Sequence, residues 1–581
     1  MNWDGVERRL QGLAPLLLAA AMAVAAGLLL WEGRGQTLFV DEWTFGYIDR
    51  TGLSPAELLS PDNGHLALVP VLITKASLGL FGAGTTLPLR LVSISLHLSI
   101  GLLVFLLARR AVGDLVALAP AILILFFGSA DDLLIGSHGM PMLIAIATGL
   151  GAWLALRRGS TAGDCLAALL LAIGLASNGL ALLFVLGAAT IVLLAPGRPW
   201  RRLWPAAVPL ALYLLWQLAY GGGEGSEFAI ANIAGIPAFA FDSLGAELAA
   251  ITGLFTQPGA QVASFESQAG LALAGGLVVA VIALFLAGYR RFPRAALPAA
   301  LGLLVLWVLT GAVASPARQP ESARYLYPAA ILLLLIAAEA SATSPLRRRG
   351  ALVLVGVCAI GLLPNLREVH YGATFFRQSA HRDRAVLGAA DLLGPRVSDE
   401  LPLGIKGDPT AVGDPAMTFP LGVYRAARER HGTPAYSLAQ LETADLASRE
   451  AADRLLARAL PIALAPATAA PAPLPSGFSP EAAGGELRRR GGCLLFMPTA
   501  LGAYLVVPLP PTGLWIRPAA GLAVPVALRH FGDGFAAPAG SALPGRPAAI
   551  TLPPTPVARD WDAQLAPTQP VAVCGLSRRS A

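Results

Sequence analysis

An acidic pair, Asp41-Glu42, stands a few residues beyond an apolar run, Leu13–Trp31, that is long enough to cross a bilayer. Carboxylates tethered this closely to a membrane cost desolvation energy unless something pairs or uses them. A second pair, Asp131-Asp132, follows another apolar run and precedes His138. His65, Lys75 (one of only two lysines, the other being Lys406), Arg318, Arg324 and Tyr325 occupy comparable positions at the ends of apolar runs. Such a set suits transfer of a group away from a lipid-linked phosphate. A carboxylate takes the proton of an attacking hydroxyl while cations hold the departing phosphate. Each residue also has a plainer use. Either acidic pair can fill a solvated turn, Lys75 can snorkel to headgroups, and Arg324 beside Tyr325 and Tyr327 can anchor a span at the interface. The histidines can be ordinary hydrogen-bonded surface residues. Neighbours on a helix point about 100° apart, so at most one carboxylate of each pair is expected to face a cavity. The acids and histidines leave a divalent cation open as a ligand, although their spacing matches no recognised metal motif.

The elements that position these residues are set by hydropathy. Of 581 residues, 55% are hydrophobic and 13% charged, which implies a polytopic α-helical membrane protein. About eleven spans are predicted, near 13–31, 88–108, 115–128, 139–156, 164–176, 179–195, 204–220, 269–288, 295–313, 326–342 and 350–364. Arg8, Arg9, Arg109, Arg110, Arg157, Arg158, Arg198, Arg201, Arg202, Arg290, Arg291, Arg294 and Arg347 to Arg349 fall in loops on one side. Only Arg34, Arg50, Arg90, Arg318 and Arg324 fall on the other. Positive residues collect on the cytoplasmic side, so the N-terminus is expected inside and the Asp41 loop outside. The first span reads as an uncleaved anchor. The net charge of +6 comes from this asymmetry, and no aromatic-basic interleaving marks a nucleic-acid groove. Residues 66–82 read as a helix on the outer surface, as does the middle of 221–268, a loop with five acidic residues and no basic one.

Three regions are expected: a transmembrane domain over 1–364, an extracytoplasmic helical region with an Ala/Pro-rich connector over 365–485, and an extracytoplasmic β-sandwich-like domain over 486–581. Ser437 and Gln440 form a candidate capping box for a helix over Ser437–Leu460. Strands are predicted at Cys493–Met497, Tyr504–Leu509, Leu514–Arg517, Ala523–Phe531, Ala548–Leu552 and Val571–Leu576. Cys493 and Cys574 lie where a disulfide is allowed.

One ordered pattern runs through these features: a first span, an outer loop with Asp41-Glu42 and His65, a surface helix with Lys75, then a long span ending Leu106-Leu107-Ala108-Arg109-Arg110. Over roughly residues 10–345 it resembles the GT-C superfamily, membrane glycosyltransferases that include protein mannosyltransferases and lipid A aminoarabinose transferases. The resemblance implies a polyprenyl-phosphate sugar donor and an extracytoplasmic glycan, lipid or protein acceptor. It also implies inversion at the sugar carbon, with Asp41 as base and an acid of the second outer loop at Asp131 or Asp132. Lys75 would touch the lipid phosphate. One departure is His65-Leu66-Ala67-Leu68-Val69-Pro70, which delays a proline that many relatives place closely after the histidine; the fold therefore carries over better than the donor. The readings from other classes are a transporter or flippase of lipid-linked glycans and a non-catalytic membrane scaffold. Transporters favour charges at mid-membrane, whereas here the spans are almost free of charge.

Overall fold

The computed structural model describes residues 3–577 except 51, 198, 222–228, 255–262, 287–291, 316–317, 344–346, 405–416, 461, 476, 536 and 553–560. It divides into two units. One comprises Met1–Phe81 with Thr86–Arg377, and the other Gly82–Thr85 with Gln378–Ala581.

The first unit is helical. In chain order its main helices are α1 (Trp3–Glu32), α2 (Leu68–Phe81), α3 (Leu87–Val112), α4 (Asp114–Leu125), α5 (Met140–Leu156), α6 (Thr161–Leu175), α7 (Ala181–Leu193), α8 (Trp204–Tyr220), α9 (Ile236–Thr252), α10 (Ala263–Leu286), α11 (Leu297–Ala312), α12 (Ala323–Thr343) and α13 (Arg347–Leu392). A helix stands at each of the eleven predicted spans. Five are long and apolar enough to cross a membrane alone, and a sixth forms if α4 and Gly128–Leu134, bent by 43°, act together. Their outward faces carry exposed Leu215, Leu218, Val279, Leu352 and Leu363, while Trp153, Phe184, Ile331 and Leu332 fill the interior. Apolar side chains on both sides of a helix suit a lipid solvent and not water. The chain is thus a polytopic helical membrane protein.

Two predicted elements differ. The span expected to stop at 364 is the first part of a 46-residue helix, because Pro364 is accommodated within α13 and does not end it. The middle of the 221–268 loop does not lie apart on a surface. Its helix α9 packs among α10, α11 and α12, and the Trp307 indole N–H donates to buried Glu247 at 2.7 Å.

The second unit joins the end of α13 to α14 (Leu421–His431), α15 (Leu438–Thr443) and α16 (Leu446–Ala459), then to two antiparallel sheets. The capping box of Ser437 and Gln440 is present. The single helix predicted over Ser437–Leu460 is two, since Asp445 accepts the Ser448 N–H at 3.0 Å and caps a new start. Five strands form one sheet in the order Ala537–Ala542, Val524–Arg529, Trp561–Leu565, Tyr504–Leu509 and Glu481–Ala483. The other sheet holds Gly485–Arg490, Cys493–Pro498, Val571–Leu576, Leu514–Pro518 and Ala548–Ile550, edged by Ala465–Pro466, with Pro471–Ala472 on Val571–Leu576. Residues 461–485, expected only as an extended connector, therefore supply edge strands, where proline is tolerated. Burial alternates along Val524–Arg529 and Trp561–Leu565, as a half-buried strand requires. Cys493 and Cys574 are bonded. Asp453, fully buried on α16, ties that helix to the sheets by accepting the N–H groups of His530, Phe531 and Gly532 at 2.8 to 2.9 Å.

Candidate active site

The first loop of the membrane unit begins where α1 ends, and that end is held by cations. Arg90 donates to the carbonyls of Leu29 at 2.7 Å and Leu30 at 3.2 Å. Arg377 donates to the Glu32 carbonyl at 2.7 Å and its carboxylate at 3.0 Å, and His370 meets the same carboxylate at 3.1 Å. The last carbonyls of a helix have no partner within it, so these side chains fix the exit of the chain. Beyond it, all non-glycine residues with positive φ among the described residues fall in this loop: Val40 (45°), Arg50 (47°) and Asn63 (48°). A β-branched valine in the left-handed region is strained by about 1–3 kcal/mol. It immediately precedes Asp41.

The two acidic pairs are each divided between inside and outside. Glu42 is buried and accepts the Phe39 N–H at 2.8 Å, closing the turn that presents Asp41. Asp131 is buried against Gly372 of α13 and accepts the Asp132 N–H at 2.7 Å. Asp41 and Asp132 are the more open members. Asp132 accepts from His138 Nε2 at 2.8 Å, its side chain 41% exposed against 10% for His138. The His138 ring packs 5.0 Å from Phe39 and 5.4 Å from Phe376, which are 5.1 Å apart, so the imidazole is wedged between the first loop and α13. Its Nδ1 has no partner among the described residues.

Charge gathers around Asp41. Burial raises its proton affinity; His138, Arg324 and Arg50 oppose that rise and Asp132 adds to it. Burial also disfavours charge on His138, but its bond to Asp132 and the fields of Asp132, Glu42 and Asp41 outweigh it and push the imidazole up to about 9. Because the folded value exceeds the ordinary 6.5, this pairing stabilises the fold fully below about pH 6.5 and is lost as pH rises through 9. The unfolding midpoint should therefore fall between pH 7 and 10 with a slope of up to about one proton per molecule, and His138→Gln should flatten that slope. An unchanged slope in the variant would remove His138 as its source.

Arg50 was noted in the sequence only for its side of the membrane, and the structure places it between two groups. It reaches the Asp41 field and also donates to the Pro61 carbonyl at 2.8 Å and to Asp62 at 3.3 Å. It is among the charges acting on Lys75, whose ammonium donates to the Gly52 carbonyl and whose stem runs over Gly46. Burial lowers the Lys75 proton affinity, Glu57 raises it and Arg50 lowers it further. One buried Arg50 nitrogen, Nη1, has no partner among the described residues. A basic residue nine positions after Asp41 in an otherwise acidic loop was the available signal.

The remaining candidates lie elsewhere. His65 pairs across from Asp62 in a short ladder and sits beside Gly179 and the Tyr213 hydroxyl. Arg318 closes a turn, its N–H donating to Ser315 at 2.8 Å. Arg324 stacks over Tyr325 at 5.3 Å and faces the Asp41 group through its charge. Tyr327 is buried; His97 Nε2 donates to the Leu125 carbonyl at 3.1 Å, leaving Nδ1 to accept the Tyr327 hydroxyl at 2.7 Å. The charges of Asp41, Glu42, Asp132, His138, Arg324 and Arg50 thus act within one group, Arg50 acts also on Lys75, and Asp131 is tied to the group through the Asp132 N–H. Among the described residues no three His, Cys, Asp or Glu side chains stand close enough to share a metal ion, and Asp132 is already engaged by His138.

Two residues that position the second loop had no sequence signal. One is Asn365, buried in α13. Gly372 is the other: a Cβ there would lie 2.0 Å from an Asp131 carboxylate oxygen. Gly372→Ala should push Asp131 off the Asp132 N–H and cost about 1–3 kcal/mol, read as a lower unfolding midpoint. A midpoint equal to wild type would show that Asp131 yields freely.

No family model and no curated protein matches the chain. Among solved structures it is similar to the crystal structure of ArnT from Cupriavidus metallidurans in the apo state. The identity is 16% and the TM-score 0.41, over 73% of this chain and 90% of that one. It is similar also to ArnT from the same organism bound to undecaprenyl phosphate, at 15% identity and a TM-score of 0.40, over 72% of this chain and 85% of that one.

Proposed function

We propose that the protein is a membrane glycosyltransferase that moves a sugar from a polyprenyl-phosphate donor to an extracytoplasmic acceptor with inversion. One observation carries the reading: Asp41, raised in basicity by burial and aimed by the strained Val40, sits in the shared field of His138, Asp132, Arg324 and Arg50. In the proposed reaction the acceptor hydroxyl gives its proton to the Asp41 carboxylate. The acceptor oxygen bonds to the anomeric carbon on the face opposite the phosphate. The carbon–oxygen bond to phosphate breaks and its electron pair leaves with the phosphate, whose charge Arg324, Arg50 and Lys75 neutralise. Asp132, paired with His138, orients the acceptor; His138 Nδ1 and Arg50 Nη1 are buried donors that a polar ligand satisfies. Glu42 and Asp131 hold the two loops.

The topology that goes with this reading has eleven spans, a cytoplasmic N-terminus, the Asp41 loop and the second unit outside, and α2 along the outer surface of a bacterial membrane. The donor lipid lies among the spans, in contact with membrane lipids. The polyprenyl-phosphate class is the one implied by the GT-C resemblance.

The test is transfer of label from a panel of radiolabelled polyprenyl-phosphate sugars in membranes, comparing wild type with Asp41→Asn. Transfer by wild type that disappears in the variant supports the reading and names the donor. No transfer with any donor, from folded protein, overturns it in favour of a transporter or scaffold.

A further inference from the structure

The second unit holds a cleft of about 540 Å³ that the proposed chemistry does not use. Gln378, His381 and Arg382 come to it from α13, and Tyr436, Gln440 and Asp445 from the starts of α15 and α16. Its volume lies within the ~300–1,000 Å³ usual for small-molecule sites. Its chemistry is unlike a lipid or anion site in two respects.

First, the groups are polar and fixed. The Tyr436 hydroxyl bonds to His381 Nδ1, and the Tyr436 N–H donates to the Arg384 carbonyl at 3.0 Å, so the ring is held at both ends. The Gln440 carbonyl accepts the Ser437 N–H at 2.9 Å, which leaves this residue its amide N–H donors for a ligand. Asp445 accepts the Ser448 N–H at 3.0 Å and hydroxyl at 2.7 Å. Burial alone would raise its proton affinity, but these bonds and the charges of His381 and Arg382 lower it, so it stays ionised. Second, the charges are mixed: Asp445 stands in the field of Arg382 and His381, and Arg384 bonds to the Tyr436 side chain. A bilayer would call for an apolar or uniformly basic rim, and a phosphate for cations with no carboxylate among them. A mixed array of carboxamide, guanidinium and carboxylate beside an aromatic ring matches vicinal hydroxyls, each both donor and acceptor, on a ring with an apolar C–H face.

We propose that this cleft binds a short neutral glycan. The inference goes beyond the glycosyltransferase reading and stands whether or not Asp41 catalyses transfer. The test titrates the full chain in lipid nanodiscs with maltotriose, isomaltotriose and chitotriose, by calorimetry and saturation-transfer NMR, with inorganic phosphate as the anionic probe. At least one trisaccharide should bind saturably. Tyr436→Ala and Gln378→Ala should each weaken it by about tenfold or more. Gln378 is exposed, so its variant should keep the wild-type unfolding midpoint even if the tyrosine variant does not. Asp41→Asn should bind as wild type does, which separates failure of this site from failure of the transfer chemistry. Absence of saturable binding by all three sugars, binding unchanged in both cleft variants, or displacement by inorganic phosphate would each overturn the proposal.

Discussion

Asp41→Asn should lower sugar transfer by about 10²–10⁴-fold while donor affinity stays within about threefold of wild type. Asparagine keeps the shape and one acceptor oxygen, so the loop and its contacts survive; what it lacks is a site for the proton of the attacking hydroxyl. That proton moves only in the transition state, and its loss therefore falls on turnover rather than on binding. Glu42→Gln is the matched comparison. Glu42 is buried and receives the Phe39 N–H, so its neutral form should act through the fold, lowering the unfolding midpoint with a smaller effect on turnover of the folded fraction. The pH profile adds a second readout. Burial raises the Asp41 carboxyl above its ordinary 3.8, so activity should fall toward acid with a midpoint above that value, and Asp41→Asn should lack this limb. Turnover that collapses in Glu42→Gln and survives in Asp41→Asn would transfer the role of base to Glu42.

The contrast within each acidic pair shows where sequence reasoning reaches its limit. Helical geometry alone requires that Asp41 and Glu42 diverge, and likewise Asp131 and Asp132. Which member turns inward depends on partners far along the chain. Asp131 is buried because Gly372, some 240 positions later, leaves room for it. Glu42 is buried because the loop folds back on Phe39. The apolar runs were legible because a bilayer demands about twenty of them in a row, and the Ser437–Gln440 box because it is local. Edge strands such as Pro471–Ala472 were not, because two residues bearing a proline acquire strand character only from the neighbour they meet. Arg50 is visible as a charge, but sequence announces neither the left-handed backbone at which it stands nor the two groups, Asp41 and Lys75, that its charge reaches.

Asn365→Leu should be the most damaging substitution outside Asp41. Asn365 is buried in α13, one residue after Pro364, at a point where the sequence suggested that the membrane domain had already ended. Its carbonyl oxygen accepts both the N–H and the hydroxyl of Ser129, each at 3.0 Å, and its amide donates to the carbonyls of Ala250 and Gly361, each at 2.9 Å. Every hydrogen-bonding capacity of the side chain is used, and three separate segments depend on it. Nearby, the approach is so close that a Cβ on Gly128 would lie 1.8 Å from the main-chain carbonyl oxygen of Asn365. Leucine fills similar space but leaves the Ser129 N–H and hydroxyl without their acceptor, at about 1–3 kcal/mol each, and leaves the Ala250 carbonyl only the Gly253 N–H at 3.3 Å. The expected result is a loss of roughly 3–5 kcal/mol, read as an unfolding midpoint lower by on the order of 10 °C, together with loss of transfer even below that midpoint. Transfer suffers because Ser129 begins the turn that carries Asp132 to His138. Asn365→Asp separates the two contributions: it keeps the acceptor for Ser129 and loses the donor to Ala250 and Gly361. It should retain more transfer than the leucine variant at equal folded fraction, since the turn that bears Asp132 keeps its anchor. Equal transfer by both variants, or a midpoint within about 1 °C of wild type in the leucine variant, would show that the second loop holds its place without Asn365.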